Sequence, residues 1–249
     1  MATEKASVFD ERGDIRAAMS DDLDAAAGEL SRANFPAFMD ALYQEAKAAF
    51  AAAARLKARA PSDDNWRLAT SGGTRERDLD AAIVHAMGGE WGNRIATATG
   101  IYGARPPKPH VIDLARLRPD RAVEFYHLPP AKGRANPAEA ALQLLDCFVD
   151  YLLAKRAYPP GTQGRWRLLE TSTVELVVLL DAAAYKDFDA EAFAAWVNDG
   201  LERLPSHMAG ISLNRSFRFE ALPETLAWPC EPAALKAAMT NRETISATN

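Results

Sequence analysis

Cysteine is scarce in this sequence, and the usual signs of a secreted, membrane or zinc-binding protein are also missing. Only Cys147 and Cys230 occur among 249 residues, far apart and outside any C-x-x-C arrangement, so a disulfide framework and a zinc site are both disfavoured. No apolar run reaches the roughly 18–20 residues that a membrane span needs. The segment MATEKASVFDERGD lacks the apolar stretch of a secretory signal. The sequence therefore predicts a cytoplasmic protein that does not enter a membrane.

Net positive charge is absent as well. The formal charge is -5 at pH 7, which argues against a generally basic surface for nucleic acid but leaves room for a local basic groove. The four histidines do not have metal-ligand spacing. Arg116, Arg118 and Arg121, with Lys132 and Arg134, gather around one turn and the loop that follows it. That basic rim either contacts phosphates or is an ordinary solvated turn.

The length of the chain predicts one large domain or one domain with an appendage. Residues 1–70 are rich in alanine and have a roughly helical apolar stripe, so we interpret them as a helical N-terminal extension. That extension is a candidate surface for a protein partner or for a homo-oligomer. Residues 71–249 then form an α/β domain.

Within the second region, helix and strand signals follow one another. The predicted order is a helix in TRERDLDAAIVHAM, a strand in NRIATATGIY, strands in HVIDLARL and RAVEFYHL, a helix after Asn136, a buried strand in VELVVLL, a helix over 188–204 and a strand in SFRFEAL. Asn136 is a candidate N-cap followed by Pro137 at the first helical position. The order predicts an α+β or α/β fold.

Two carboxylates lie on the two central strands, which are joined by a turn at Arg118-Pro119-Asp120. In one register of the turn Asp113 faces Glu124, and in the other it faces Tyr126 with Glu124 diagonally adjacent. In both registers Asp113, Glu124 and Tyr126 point to one face, because strand side chains alternate. Like charges so close together favour a cation between them, and Mg²⁺ prefers carboxylate oxygens.

The order of elements with this carboxylate pair resembles the PD-(D/E)XK, or restriction-endonuclease-like, nucleases over roughly residues 74–230. The resemblance implies a central mixed β-sheet flanked by helices, with Asp113 and Glu124 binding Mg²⁺ or Mn²⁺ for hydrolysis of DNA or RNA phosphodiesters. It implies an auxiliary acid on the preceding helix, at Glu76 or Asp80, and it is compatible with a helical glutamine at Gln143.

The sequence departs from the family at the lysine two residues after the glutamate, where Tyr126 stands. Lys132, or else Lys108, is the candidate substitute. Three readings follow: an active metal-dependent nuclease, an inactive nuclease fold that serves as a binding or scaffolding subunit, or an unrelated α+β protein whose hairpin carboxylates are surface charges.

Overall fold

The computed structural model describes residues 78–96, 111–128, 135–157, 168–204, 213–224, 226 and 229–245, together with helical residues at 35, 39–40, 42–44 and 46–48. The elements are α1 (Leu79–Met87), β1 (Trp91–Ala96), β2 (Val111–Leu117), β3 (Ala122–His127), α2 (Pro137–Ala157), β4 (Thr173–Asp181), a 3₁₀ turn (Ala182–Tyr185), α3 (Ala190–Glu202), β5 (Asn214–Leu222), α4 (Pro232–Thr240) and β6 (Glu243–Thr244).

The six strands form one mixed sheet in the order β1-β2-β3-β4-β5-β6. Strand β2 is antiparallel to both β1 and β3, β3 to β5 run parallel, and β6 is antiparallel to β5. Helices α2 and α3 make the crossovers between the parallel strands, as parallel strands require. The predicted central mixed sheet with flanking helices is confirmed as an α+β architecture.

A large apolar cluster covers one face of the sheet. It includes Phe125 of β3, Leu176 of β4 and Phe219 of β5 from the sheet, together with much of α2 and α3. The N-terminal helical residues contribute Phe35 and Met39, which are fully buried, to the same cluster. Leu42, Tyr43 and Ala46, which belong to the predicted apolar stripe, are buried in it as well.

A smaller cluster covers the other face, under α1 and α4, which pack against each other. Ile83 of α1 and Met239 of α4 meet Tyr126 of β3 and Leu179 of β4 in it. Both clusters therefore rest on the same central strands. Over residues 176–180 β4 is buried on both faces, and it has there the continuous apolar sequence expected of a parallel central strand.

Local signals explain where several helices begin and end. Asn136 Oδ1 accepts hydrogen bonds from the backbone of Ala138 at 3.0 Å and Glu139 at 3.1 Å, which confirms the predicted N-cap of α2. Helix α1 ends at Gly88, whose φ of 87° suits glycine.

The pattern missed other elements. It predicted neither α4 nor β6, and β1 begins at Trp91, earlier than the predicted NRIATATGIY strand. Residues 97–102 of that prediction lie outside the described residues. Among the helices described, none has the length and apolar character needed to cross a membrane.

Candidate functional site

The hairpin between β2 and β3 determines which side chains can meet. Arg121 N–H donates to the Arg118 carbonyl at 3.0 Å, closing the turn that the sequence predicted around Pro119. Arg118 N–H then donates to the Ala122 carbonyl at 2.8 Å, so three residues separate the first bonded pair. Arg121 has a φ of 64°. A turn followed by one left-handed residue is the usual construction of a three-residue hairpin loop.

The extra residue changes the register from both of those expected for a two-residue turn. The structure pairs Arg116 with Glu124 and Leu114 with Tyr126. Because a shift of one residue sends side chains to the opposite face of a strand, Glu124 meets Arg116 instead of Asp113. Both registers predicted for the turn, in which Asp113 faces either Glu124 or Tyr126 directly, are therefore wrong. The sequence did not reveal the longer loop, because its left-handed position holds Arg121 and not the usual glycine or asparagine.

Glu124 is one of the most enclosed charged groups in the described residues, with a side chain only 4% exposed. Its Oε2 accepts from the Tyr126 hydroxyl at 2.7 Å and from Arg116 Nη1 at 3.3 Å. Its Oε1 accepts from Arg218 Nη2 at 3.2 Å, with Arg118 Nη1 at 3.9 Å. Both carboxylate oxygens are thus occupied by protein donors, so Glu124 is neither a surface charge nor a carboxylate open to a metal.

Glu124 belongs to a larger set of ion pairs on this face of the sheet. Arg118 Nη1 donates to Glu175 at 2.6 Å, and Arg218 bridges Glu175 and Glu220, with its Nε 2.8 Å from Glu220 Oε1. Arg242 donates to Glu220. We call this set the arginine–glutamate network; its members are Arg116, Arg118, Arg218, Arg242, Glu124, Glu175, Glu220 and the Tyr126 hydroxyl.

The network was missed by sequence reasoning, although a signal for it exists. In β5 the charged residues Arg218 and Glu220 alternate with Phe217 and Phe219, which places the charges on one face. Glu175 lies on β4 directly across from Glu124. Such inward charges on neighbouring strands require partners, because an unpaired buried charge is very costly.

Tyr126 stands where the family has its lysine, and its environment explains why a neutral group fits there. The hydroxyl donates to Glu124 and accepts from Arg242 Nη2 at 3.0 Å. Burial, with the neighbouring Glu124 charge, raises the pKa of Tyr126 well above its usual value. Tyr126 therefore stays protonated and acts as a hydrogen-bonding link in the network.

Asp113 has different partners. Its Oδ2 accepts from the Leu128 backbone N–H at 2.8 Å and lies 3.3 Å from His127 Nδ1. Alternation along β3 puts His127 on the other face of the strand from Tyr126 and Leu128, which lie in the smaller apolar cluster. Burial raises the pKa of Asp113, while His127 and the Leu128 N–H oppose that rise.

Strand β2 is distorted at Asp113. Leu114 belongs to the smaller apolar cluster and Ile112 to the larger one, although strict alternation would put both on one side. Arg94, the β1 residue beside this point, has a φ of 53°. The β2–β3 pairing ends at Leu114 and Tyr126. Beyond that pair, the Asp113 carboxylate accepts the hydrogen bond from Leu128 N–H.

Arg94 forms ion pairs with the two acids at the start of α1. Asp80 accepts from Arg94 Nε at 2.7 Å and from Asn93 Nδ2 at 3.1 Å, and Asp78 accepts from Arg94 Nη2 at 2.7 Å. These bonds, led by the one to Asp80, raise the pKa of Arg94. Asp80 is close enough to Asp113 to raise the pKa of that carboxyl slightly, but its oxygens serve Arg94 and Asn93. The other candidate acid, Glu76, lies outside the described residues.

Some of the remaining predicted residues lie outside the described ranges, and the others lie apart from Asp113 or bind the network. Lys132 and Lys108 lie outside the described residues, as does Arg134. Gln143 is exposed on α2 and donates to Glu139 at 3.2 Å, remote in role from the hairpin. Of the basic rim, Arg116 and Arg118 bind the network glutamates, whereas Arg121 is exposed.

The geometry does not fit the implied Mg²⁺ or Mn²⁺. In the ranges that the structure describes, no three His, Cys, Asp or Glu side chains are grouped to hold a metal ion. The two carboxylates expected to share one ion have separate partners, and Glu124 is neutralised by arginines that would repel a cation. The arrangement instead links strands β2 to β5 through charge-assisted hydrogen bonds.

Comparison with known proteins finds no match to this chain among protein-family models, curated proteins or solved structures.

Proposed function

We propose that the chain has a restriction-endonuclease-like fold that serves as a binding or scaffolding subunit and does not hydrolyse phosphodiesters. The succession α1, β1, Asp-bearing β2, Glu-bearing β3, α2, β4 is the order that carries the resemblance. The observation that favours the inactive form is the occupation of both Glu124 oxygens by Arg116, Arg218 and Tyr126.

The physical argument concerns the free energy of replacing those donors. A metal at Glu124 would have to displace two guanidinium groups and a hydroxyl from a site that is almost closed to water, and it would leave those donors unpaired. Each buried charge-assisted hydrogen bond lost costs about 1.5–3 kcal/mol. Asp113, bonded to Leu128 N–H and beside His127, supplies no second carboxylate to offset that loss.

A binding role also needs a surface, and the N-terminal helical residues are the proposed one. Phe35 and Met39 are committed to the core, while Gln44, Lys47 and Ala48 are exposed. A protein partner or a second copy of the chain would therefore meet a polar surface. Sedimentation velocity over a range of protein concentrations tests self-association, and Lys47→Glu is expected to weaken any that occurs.

The decisive experiment measures metal binding and cleavage on the full chain. Thermal unfolding is followed with increasing Mn²⁺ and Mg²⁺, and the protein is incubated with single- and double-stranded DNA and RNA. We expect no metal-dependent rise in Tm and no cleavage. Asp113→Ala and Glu124→Ala are the matched variants.

The alternative, an active Mg²⁺-dependent nuclease, makes the opposite prediction. Cleavage that requires the metal and disappears in both variants would overturn the binding-subunit proposal. Cleavage that persists unchanged in both variants would come from a contaminating enzyme and would leave the two carboxylates without a catalytic role.

A further inference from the structure

Arg215 lies on β5 at the edge of the larger apolar cluster, away from the arginine–glutamate network. It pairs across the sheet with Val174, and alternation puts it on the same face as Phe217 and Phe219. Helix α3 covers this face: Asn198 accepts from Phe217 N–H at 2.7 Å and donates to the Phe217 carbonyl at 2.9 Å. Arg215 lies two residues before Phe217, nearer the start of β5.

Among the residues that the structure describes, Arg215 differs from the partly buried arginines of the network in having no acidic partner. Its Nη1 is buried and has no hydrogen-bond partner in the part of the chain that the structure describes. Burial lowers its pKa, and no acidic group contributes in the opposite direction. Burial also acts to lower the pKa of Arg218 and Arg242, but Glu220 and other neighbours outweigh it, so their pKa values are raised.

A partly buried arginine without an acidic partner cannot avoid the desolvation cost of its charge by losing a proton. The guanidinium remains charged at every physiological pH, so a shielded arginine needs acceptors and a negative charge. Lys155, a buried cation, provides a comparison. Its Nζ donates to the Leu169 and Thr171 carbonyls, each at 2.6 Å, whereas Arg215 Nη1 has no such acceptor.

We infer that Arg215 binds a small carboxylate ligand that enters beside α3 at the start of β5. A planar guanidinium pairs with a carboxylate through two parallel hydrogen bonds. One negative charge balances the one unpaired positive charge. A small acid head group needs less rearrangement than a bulky polymer to reach the buried Nη1, and the net charge of -5 repels polyanions such as nucleic acid. This site is independent of the argument about nuclease activity, because Arg215 lies on the opposite face of the sheet from Glu124.

Thermal unfolding of the full chain tests the inference with acetate as the probe. Tm is measured in increasing sodium acetate and in sodium chloride at the same ionic strength, for the wild type, Arg215→Met and Arg121→Gln. Arg121→Gln is the matched control, since it removes one positive charge from an exposed position. Inorganic phosphate and a short single-stranded oligonucleotide are the comparison ligands.

The wild type and R121Q should show a saturable rise in Tm in acetate beyond that in chloride, because a ligand that binds only the folded state stabilises it. R215M should show no such excess. Without added carboxylate, R215M should unfold at a temperature equal to or above that of the wild type, because it no longer shields an uncompensated cation.

Three results would overturn the assignment: equal rises in acetate and chloride, an acetate effect that persists in R215M, or an Arg215-dependent response to phosphate or the oligonucleotide but not to acetate. If R215M does not fold, Arg215→Lys replaces it. Lysine keeps the charge but loses the planar fork, so the acetate concentration for the half-maximal rise should increase about tenfold. An unchanged concentration in R215K would also contradict carboxylate binding by the guanidinium.

Discussion

The role of each carboxylate in this protein depends on the few donors that surround it. Glu124 is surrounded by arginines and a tyrosine, whereas Asp113 has a backbone N–H and a histidine. The sequence could identify both as acids on adjacent strands. It could not identify their donors, because Arg218 and the Leu128 N–H reach them only through tertiary pairing.

Neutralising Asp113 should stabilise the protein at neutral pH. Folding raises the pKa of Asp113 above the value of about 3.9 typical of an unfolded chain. Its contribution to stability is therefore fully present below about pH 4 and is lost as the pH rises through the folded-state pKa. Asp113→Asn keeps an acceptor for Leu128 N–H without the charge, so D113N should be more stable than the wild type at pH 8 but not at pH 4.

Urea unfolding at the two pH values measures this difference. Asp120→Asn is the control, because Arg118 lowers the pKa of Asp120 and its neutralisation should bring no gain at pH 8. If D113N changes stability equally at both pH values, the shifted carboxyl is not the cause.

Removing the Tyr126 hydroxyl should destabilise the fold. Tyr126→Phe deprives Glu124 of a donor and Arg242 of an acceptor, and each unsatisfied buried group costs about 1–3 kcal/mol. Denaturant unfolding of Y126F, E124Q and the double variant measures the coupling. Because the side chains share one hydrogen bond, the double variant should lose less stability than the two single losses added together. Simple additivity would argue against a connected network.

At the scale of elements, the strength of local signals decides what the sequence reveals. The start of α2 was predictable because Asn136 and Pro137 are specific to a helix N-terminus. Strand β4 was predictable because burial on both faces needs an unbroken apolar run. Helix α4 was not predicted, and the hairpin register was missed because its left-handed residue is an arginine.

Glycine at position 121 should make the hairpin more stable. A non-glycine residue at a φ of 64° is strained by about 1–2 kcal/mol, and glycine recovers much of this while losing more chain entropy. Arg121→Gly should therefore raise the free energy of unfolding by about 0.5–1 kcal/mol. Arg121→Ala removes the same side chain but keeps the strain, so it should give no gain; equal effects of the two substitutions would locate the cause in the arginine side chain.

At the scale of the whole molecule, the sheet carries one apolar cluster on each face, and the N-terminal helical residues pack into the larger one. Phe35 meets Trp196 edge-on with ring centroids 4.9 Å apart, and it also packs over Gly200 of α3. The prediction of a separate N-terminal extension over residues 1–70 stays a prediction. Its described apolar residues nevertheless share the core of the α/β region.

Adding one methyl group at this junction should weaken it. A Cβ at Gly200 would lie 2.0 Å from Phe35 Cδ1, so Phe35, which is fully buried, would have to move. Overpacking costs about 1–3 kcal/mol and should exceed the gain of about 1 kcal/mol from alanine in a helix. Gly200→Ala should therefore lower stability in denaturant unfolding and increase amide exchange around residues 35–48.

Gly89→Ala is the matched control, because no atom lies within 4 Å of a Cβ at that position. Phe35→Leu in the G200A background should restore part of the loss by making room. A stable G200A protein with unchanged exchange would mean that Phe35 does not anchor the N-terminal residues.

The loop of three residues between β2 and β3 also limits any redesign of the protein as a nuclease. Introducing lysine at position 126 would match the residue that the nucleases resembled by this sequence have there, but it would add a further cation beside Arg116, Arg218 and Arg242. Asp113 would still be bonded to Leu128 beside His127. An engineer would first have to shorten the hairpin by one residue and then refit every inward side chain of β3. A point substitution alone would therefore leave the register between β2 and β3, and with it the pairing of Glu124 with Arg116, unchanged.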